Sequence, residues 1–253
     1  MLFDAHFHVI DPRFPLVANQ GFLPEPFTCD DYRRATADLG ITGGAVVSGS
    51  FQAFDQSYLL DALTTLGPGF VGVTQLPADA TDATVTALDA AGVRAARVNL
   101  RRGGPVSPDD LQRLAARVHD VAGWHVELYV DSADLDDLAP VLARLPRVVI
   151  DHLGLSRAGF DHILDLVNGG AMIKATGFGR VDLDVSEAVT RIAGINPGAL
   201  MFGTDLPSTR AARPFSPRDV DVLVDALADD DLIHAAFRGN AFALYRPASP
   251  PRP

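Results

Sequence analysis

Eight short apolar, β-branched runs recur along the chain, and each is followed by a polar stretch with helical spacing. The runs cover 2–9, 42–48, 70–75, 93–99, 125–130, 147–152, 171–176 and 200–204. The spacing predicts helices over 29–39, 52–66, 82–91, 108–121, 133–145, 157–167, 185–193 and 217–228, with a last one over 232–245. Strands that alternate with helices pair in parallel through right-handed crossovers. Eight such units fit a closed (β/α)8 TIM barrel, an α/β fold of roughly 250 residues. The chain has 253 residues. A doubly wound open sheet is the competing architecture. It calls for a glycine-rich turn after an early strand, and this chain offers Asp11, Pro12 and Arg13 there instead.

The punctuation agrees with helices at these places. Thr28 and Asp31 have the spacing of a capping box. Ser107 and Ser132 stand where N-caps belong, Gly40 where a left-handed cap would sit, and Pro146 ends the fifth helix. Two segments fall outside the repeat. A long connection over 10–27, rich in Pro and Phe, follows the first strand and reads equally as a lid or as a fixed plug. The Pro-rich stretch 248–253 reads as a disordered tail, which leaves one domain over 1–247.

Composition narrows the function. The formal net charge is −11, which opposes general binding to nucleic acid or to an anionic membrane. A local arginine cluster that grips a small anion remains compatible. The single cysteine, Cys29, excludes a disulfide framework and a multi-cysteine metal site. No apolar run approaches the ~18 residues of a membrane span, and no secretory signal opens the chain. A soluble, cytoplasmic protein is the expectation, with oligomeric state open.

In a barrel the reactive groups sit at the carboxyl ends of the strands. The first strand ends in His6-Phe7-His8, two imidazoles on one face. Burying two polar rings without partners is costly, so the pair points to chemistry. The sixth ends in Asp151-His152. Strand neighbours face opposite ways, and His152 is the inward choice, with Asp151 bonding outward to backbone. The eighth ends in Gly203-Thr204-Asp205. The first and eighth strands adjoin in a closed barrel, which brings Asp205 beside the histidine pair. Arg97 and Asn99 share a face of strand four, with Arg101 and Arg102 in the loop beyond. Lys174, the only lysine, and Glu127 are expected to point inward as an ion pair or network with Arg97, structural rather than catalytic. Phe14, Phe22, Phe51, Phe54 and Phe178 are candidates for shaping a pocket.

Together, His-x-His on strand one, His152 on strand six and Gly-Thr-Asp on strand eight resemble the amidohydrolase superfamily. "FDAHFHVIDPRFP", "VRAARVNLRRGG", "VVIDHLG" and "GNAFALYRP" are similar to its amidohydrolase-2 branch, in particular the group of 2-pyrone-4,6-dicarboxylate hydrolase and related lactonases. The resemblance spans essentially the whole chain. Metal-dependent members carry a histidine at the end of strand five and often a carboxylated lysine on strand four. Here His125 opens strand five and strand four has no lysine, so the resemblance implies no required metal. His6, His8 and Asp205 still supply the three ligands of a zinc site, which leaves one divalent cation such as Zn or Mn open.

The implied activity is hydrolysis of a small carboxylate-bearing lactone or ester. Asp205 serves as general base for water and His6, His8 and His152 polarise the carbonyl. Arg97 and Tyr129 match substrate contacts of the family, and Arg101 and Arg180 are further anion contacts. A metal-dependent amidohydrolase or decarboxylase is the alternative. A barrel that binds a small anion without turnover is the third.

Overall fold

The computed structural model describes residues 1–101 and 107–248, and in it eight parallel strands follow one another in chain order around a barrel. They are β1 (Leu2–Phe7), β2 (Ile41–Val47), β3 (Phe70–Thr74), β4 (Val93–Asn99), β5 (His125–Tyr129), β6 (Val148–Ile150), β7 (Met172–Ala175) and β8 (Leu200–Phe202). The intervening helices are α1 (Cys29–Ala35), α2 (Ser57–Leu66), α3 (Asp82–Ala90), α4 (Pro108–Ala122), α5 (Ala139–Leu142), α6 (Phe160–Asn168), α7 (Val185–Ile195) and α8 (Arg218–Leu227). Two short helices, α9 (Asp230–His234) and α10 (Asn240–Tyr245), end the described chain. The fold is the single (β/α)8 barrel that the alternation predicts. Arg102 and the expected tail beyond Ala248 lie outside the described residues.

Four helices depart from the expectation: α1 stops at Ala35, short of 39, α2 starts at Ser57, beyond 52, and two others change more. The helix predicted over 133–145 shrinks to α5, preceded by a 3-10 turn over Ser132–Asp134. Asp131, not Ser132, caps that turn. The Ser132 hydroxyl donates instead to the carbonyls of Ser156 and Ala158. The closing helix predicted over 232–245 is interrupted by a π turn over Ala235–Gly239. Thr28 and Asp31 form the reciprocal capping box, and Ser107 accepts from the Asp110 amide, but Thr36 rather than Gly40 is the C-cap of α1, and α5 ends at Leu142, ahead of Pro146.

Strand alternation sorts the apolar residues into two layers. Phe7, Val46, Ala96, Val98, Val126, Leu128, Ile150 and Phe202 face outward and pack against the helices. Phe3, Ala45, Val47, Val71, Val73, Ala95, Val149 and Met201 fill the lumen, and α10 plugs its lower end with Ala241, Leu244 and Tyr245. This dry plug leaves only the opposite, carboxyl-end mouth for chemistry.

One side chain and two backbone hydrogen bonds bridge the seam between β8 and β1. Asp4 accepts the backbone N–H groups of His6 (3.1 Å) and Thr204 (2.8 Å), the Thr204 hydroxyl (2.7 Å) and the Tyr32 hydroxyl from α1 (3.0 Å). Above it the Asp205 amide donates to the His6 carbonyl and the His8 amide to the Leu206 carbonyl, each at 2.7 Å. Gly203 makes this approach possible, because a Cβ there would fall 2.7 Å from the His6 nitrogen. Among the described residues no helix is long and apolar enough to cross a membrane.

Candidate active site

A β-bulge decides where the histidines point. Asp4 pairs with Gly44 and Phe7 with Val46, so three steps on β1 oppose two on β2. The extra residue shifts the alternation. Phe3 and Ala5 face the lumen below it, Phe7 faces out to stack on Tyr32, and His6 and His8 both face in. The shared face of His-x-His thus holds, although the strand below the bulge has the opposite parity.

At β6 the structure corrects the sequence reading. Val149 faces the lumen, so regular alternation turns Asp151 inward too, not outward to backbone. His152 then joins it by leaving strand geometry: its φ is +53°, followed by Leu153 at +54°. Left-handed backbone at non-glycine residues is strained and concentrates at functional sites. Asp205 is another such residue, at φ +59°.

The result is a buried cluster at the upper mouth. Asp205 Oδ1 lies 3.9 Å from His6 Nε2 and 3.7 Å from His8 Nε2. Its other oxygen accepts from Arg180 Nε at 2.5 Å. The His152 ring centroid is 4.8 Å from that of His6. A Cβ on Gly177 would fall 2.6 Å from His152 Nδ1 and 3.2 Å from Asp205 Oδ2, so only glycine fits beside this pair. Asp151 Oδ2 accepts from Arg97 Nε and Nη2, while Arg97 Nη1 donates to the Ser48 carbonyl. Lys174 donates to Glu127 Oε2 at 2.5 Å and stands 3.6 Å from Asp151 Oδ1. The expected Lys174–Glu127–Arg97 network is present, with Asp151 as the link that the sequence reading did not supply. Below it the Tyr245 hydroxyl and His125 also contact Glu127.

Above the cluster opens a narrow cleft. Its floor and walls include His8, Arg97, Tyr129, His152 and Arg180. Arg101 is turned away to an ion pair with Asp131, and is not among the lining residues. The roof uses the long connection. Phe22 lines the cleft, Arg210 stacks over its ring at 4.3 Å, and Arg210 Nη1 donates to Asn19 Oδ1. Antiparallel bridges Ile10–Phe27 and Asn19–Phe22 brace the connection. Of the phenylalanines proposed to shape a pocket, Phe22 and Phe51 line the cleft, Phe14 and Phe178 pack on the core, and Phe54 is 56% exposed. Arg210 was not singled out from the sequence. Only its arginine-rich setting after the eighth strand could have flagged it.

Burial dominates the electrostatics. It lowers His6 to about 3, against the attraction of Asp151, and holds His152 well below the usual imidazole range. For Asp205 burial acts upward but is overridden by Arg180 and the histidines, so its carboxyl stays far below the ordinary range. Asp151 is held well down in the same way, against burial, by His6, Lys174 and Arg97. The site is therefore two neutral imidazoles among ionised carboxylates.

These shifts give stability a pH dependence. His6, His125 and His152 are lowered by burial, so below about pH 6.5 the unfolded chain binds protons that the folded one refuses. Stability is lost as pH falls through that window toward the folded values. Burial raises Asp4 to about 6, which works the other way between about 6 and 3.8 and offsets one of the three. The lowered imidazoles outnumber Asp4, so the net slope keeps the histidine sign. Urea midpoints are expected to drop clearly between pH 7 and pH 5. A midpoint constant over that range would contradict buried neutral imidazoles.

The family model described as Amidohydrolase matches residues 3–246. The chain belongs to the amidohydrolase family. A 2-pyrone-4,6-dicarboxylate hydrolase from Comamonas testosteroni is 31% identical over 156 residues, covering 60% of this chain and 51% of that protein. The chain thus matches about half the length of that relative. A D-galactarolactone isomerase from Agrobacterium fabrum is 28% identical over 267 residues, covering 96% and 90%. A crystal structure of an Agrobacterium tumefaciens protein superposes with a TM-score of 0.87 at 26% identity, over 98% of this chain and 96% of that one. The chain is accordingly an enzyme of this family.

Many amidohydrolases use a divalent cation, and this chain has groups spaced to hold one. His6, His8 and Asp205 each offer a ligand atom, all within 4.8 Å of one another. His6 Nε2 and Asp205 Oδ1 have no hydrogen-bond partner among the described residues. Spacing therefore fits a cation with three protein ligands. Charge does not. Three carboxylates (Glu127, Asp151, Asp205) already face three cations (Lys174, Arg97, Arg180) in ion pairs. Even counting the buried Asp4 carboxylate below His6, a divalent ion would leave this buried cluster with an uncompensated positive charge.

Proposed function

We propose that this amidohydrolase hydrolyses a small lactone or similar ester that carries a carboxylate, with no resident metal. The observation that carries the reading is Asp205 Oδ1: a buried, ionised oxygen without a hydrogen bond among the described residues, facing two imidazoles beneath an arginine-bearing cleft. Both relatives named above act on lactone-type compounds by their names.

The imidazoles divide the work. His8 Nδ1 lies 2.7 Å from the Val47 carbonyl. A carbonyl only accepts, so Nδ1 carries the proton, and the Nδ1–H tautomer has its lone pair on Nε2. His8 is then not a donor to the substrate carbonyl, as the sequence suggested, but an acceptor beside Asp205. A water against both donates one hydrogen to each and aims its own lone pair outward. Asp205 takes the proton as the water oxygen bonds to the acyl carbon. His6 and His152 donate to the developing oxyanion. The ring C–O bond then breaks, and the proton held by Asp205 passes to the departing oxygen. Because Asp205 is a weak base, the oxyanion donors must supply much of the rate, which favours a cyclic ester over an amide. Arg180 and Arg97 at the cleft, with Tyr129, suit a substrate carboxylate.

A metal-dependent reaction is the second reading, favoured by the spacing of His6, His8 and Asp205. One experiment separates the two. A panel of carboxylate-bearing lactones is assayed by proton release before and after exhaustive chelation. Proton release unchanged by chelation supports the metal-free hydrolase. Loss on chelation, restored by Zn or Mn, supports the second reading. Turnover of a lactone without proton release marks isomerisation instead.

A further inference from the structure

Lys174 is the only lysine of the chain, and it is fully buried 77 residues beyond Arg97 in sequence, yet in the same network. Its ion pair with Glu127 accounts for one N–H. A second contact is unexplained by that pairing: Nζ stands 3.3 Å from His6 Nδ1, in hydrogen-bond geometry. With Glu127 at 2.5 Å and Asp151 at 3.6 Å, this nitrogen is an ammonium. An ammonium has no lone pair and can only donate. His6 Nδ1 must then accept, and the ring proton sits on Nε2.

The competing partner for Nδ1 is Asp151 Oδ1, also at 3.3 Å. A bond to it would put the proton on Nδ1 and a lone pair on Nε2. That oxygen, however, has no hydrogen bond in acceptable geometry among the described residues. The directional evidence favours Lys174. The two outcomes have opposite chemistry at the mouth. Nε2–H is a donor for an oxyanion, whereas an Nε2 lone pair is a metal ligand of the kind that carboxylate–imidazole pairing normally supports.

We infer that Lys174 is a positioning residue that fixes His6 in its Nε2–H tautomer, making it an oxyanion donor and barring it from serving as a metal ligand. What the donor does rests on the hydrolase reading above; the tautomer itself does not. His8, whose Nδ1 is claimed by Val47, takes the opposite tautomer. The His-x-His pair is therefore split by its surroundings into one donor and one acceptor, although the two residues are the same and two apart.

Long-range proton–nitrogen NMR on histidine-labelled protein tests this without any substrate, with His6 assigned by the signals lost in His6→Gln. The wild-type spectrum is expected to show His6 as Nε2–H. The Nδ1–H pattern would overturn the inference. The variants are Glu127→Gln, which keeps the ammonium, and Glu127→Gln with Lys174→Met, which removes a cation and an anion together. The first is expected to retain Nε2–H. The second is expected to move the proton to Nδ1, facing Asp151. Retention of Nε2–H in the double variant would assign the tautomer to something other than Lys174. A merely structural role would leave the tautomer unchanged. If the variants do not fold, the wild-type spectrum alone decides. An Nε2–H spectrum with no lactone turned over would sink the hydrolase reading and leave this inference standing.

Discussion

Asp205→Asn is expected to lower kcat for lactone hydrolysis by about 10³-fold, a barrier increase of about 4 kcal/mol. The substitution is close to isosteric. The Asn oxygen can still accept from Arg180, which reaches the present carboxylate at 2.5 Å. Its amide nitrogen would sit where Oδ1 now faces His8 Nε2 at 3.7 Å. There it donates to that lone pair, occupies the place of the attacking water and offers no base. The split between kcat and KM is the informative part. Removing one negative charge leaves Arg180 without its counterion at the edge of an anion-binding cleft. Substrate carboxylate is bound no more weakly, so KM is expected to hold or fall while kcat collapses. A merely structural aspartate would show the reverse, with KM raised and melting temperature depressed. Activity within tenfold of the wild type would remove Asp205 from the role of base.

The barrel was legible because it rests on periodicity, and periodicity is local. Val93–Asn99 and His125–Tyr129 read directly as strands, since every second residue (Ala96 and Val98, Val126 and Leu128) is apolar and faces the helices. The convergence of His6, His8, His152 and Asp205 was legible for a topological reason: strand ends of one barrel share one mouth. What escaped depends on departures from regular geometry. Asp151 was assigned the wrong face because His152 also turns inward, at a φ of +53° that no alternation rule contains. The separate tautomers of His6 and His8 depend on Lys174 and the Val47 carbonyl, partners far away in sequence. Arg101 and Arg180 both follow strand ends as arginines, yet one pairs with Asp131 outside the lining and the other with Asp205 at its edge. Loop conformation makes that difference, and short-range sequence does not encode it.

Asp4 escaped for a different reason: its task is to join the two ends of the chain. An aspartate one residue above Phe3 in an apolar strand reads as an oddity, and its partners at Thr204 stand 200 positions away. Asp4→Leu is expected to destabilise the fold by about 4 kcal/mol or more. The substitution keeps the branched outline but strands the His6 and Thr204 amides and the Thr204 and Tyr32 hydroxyls, all of which now donate to this carboxylate. Each buried donor left unpaired costs roughly 1–3 kcal/mol, and the site, fully buried, admits little water in compensation. Asp4→Asn tests the argument from the other side. The amide oxygen keeps some of the acceptors' work, but its NH2 must face a donor, so the loss should be real and smaller. Activity is coupled to this seam, because the two residues Asp4 holds on β1 and beyond β8 carry His6 and immediately precede Asp205. In the Asn variant kcat is therefore expected to fall even at temperatures where the protein remains folded, whereas a seam important for stability alone would leave kcat intact. Equilibrium urea unfolding of both variants, with kcat measured well below the transition, distinguishes the cases. An Asp4→Leu protein as stable as the wild type would mean that backbone pairing between β8 and β1 closes the barrel unaided.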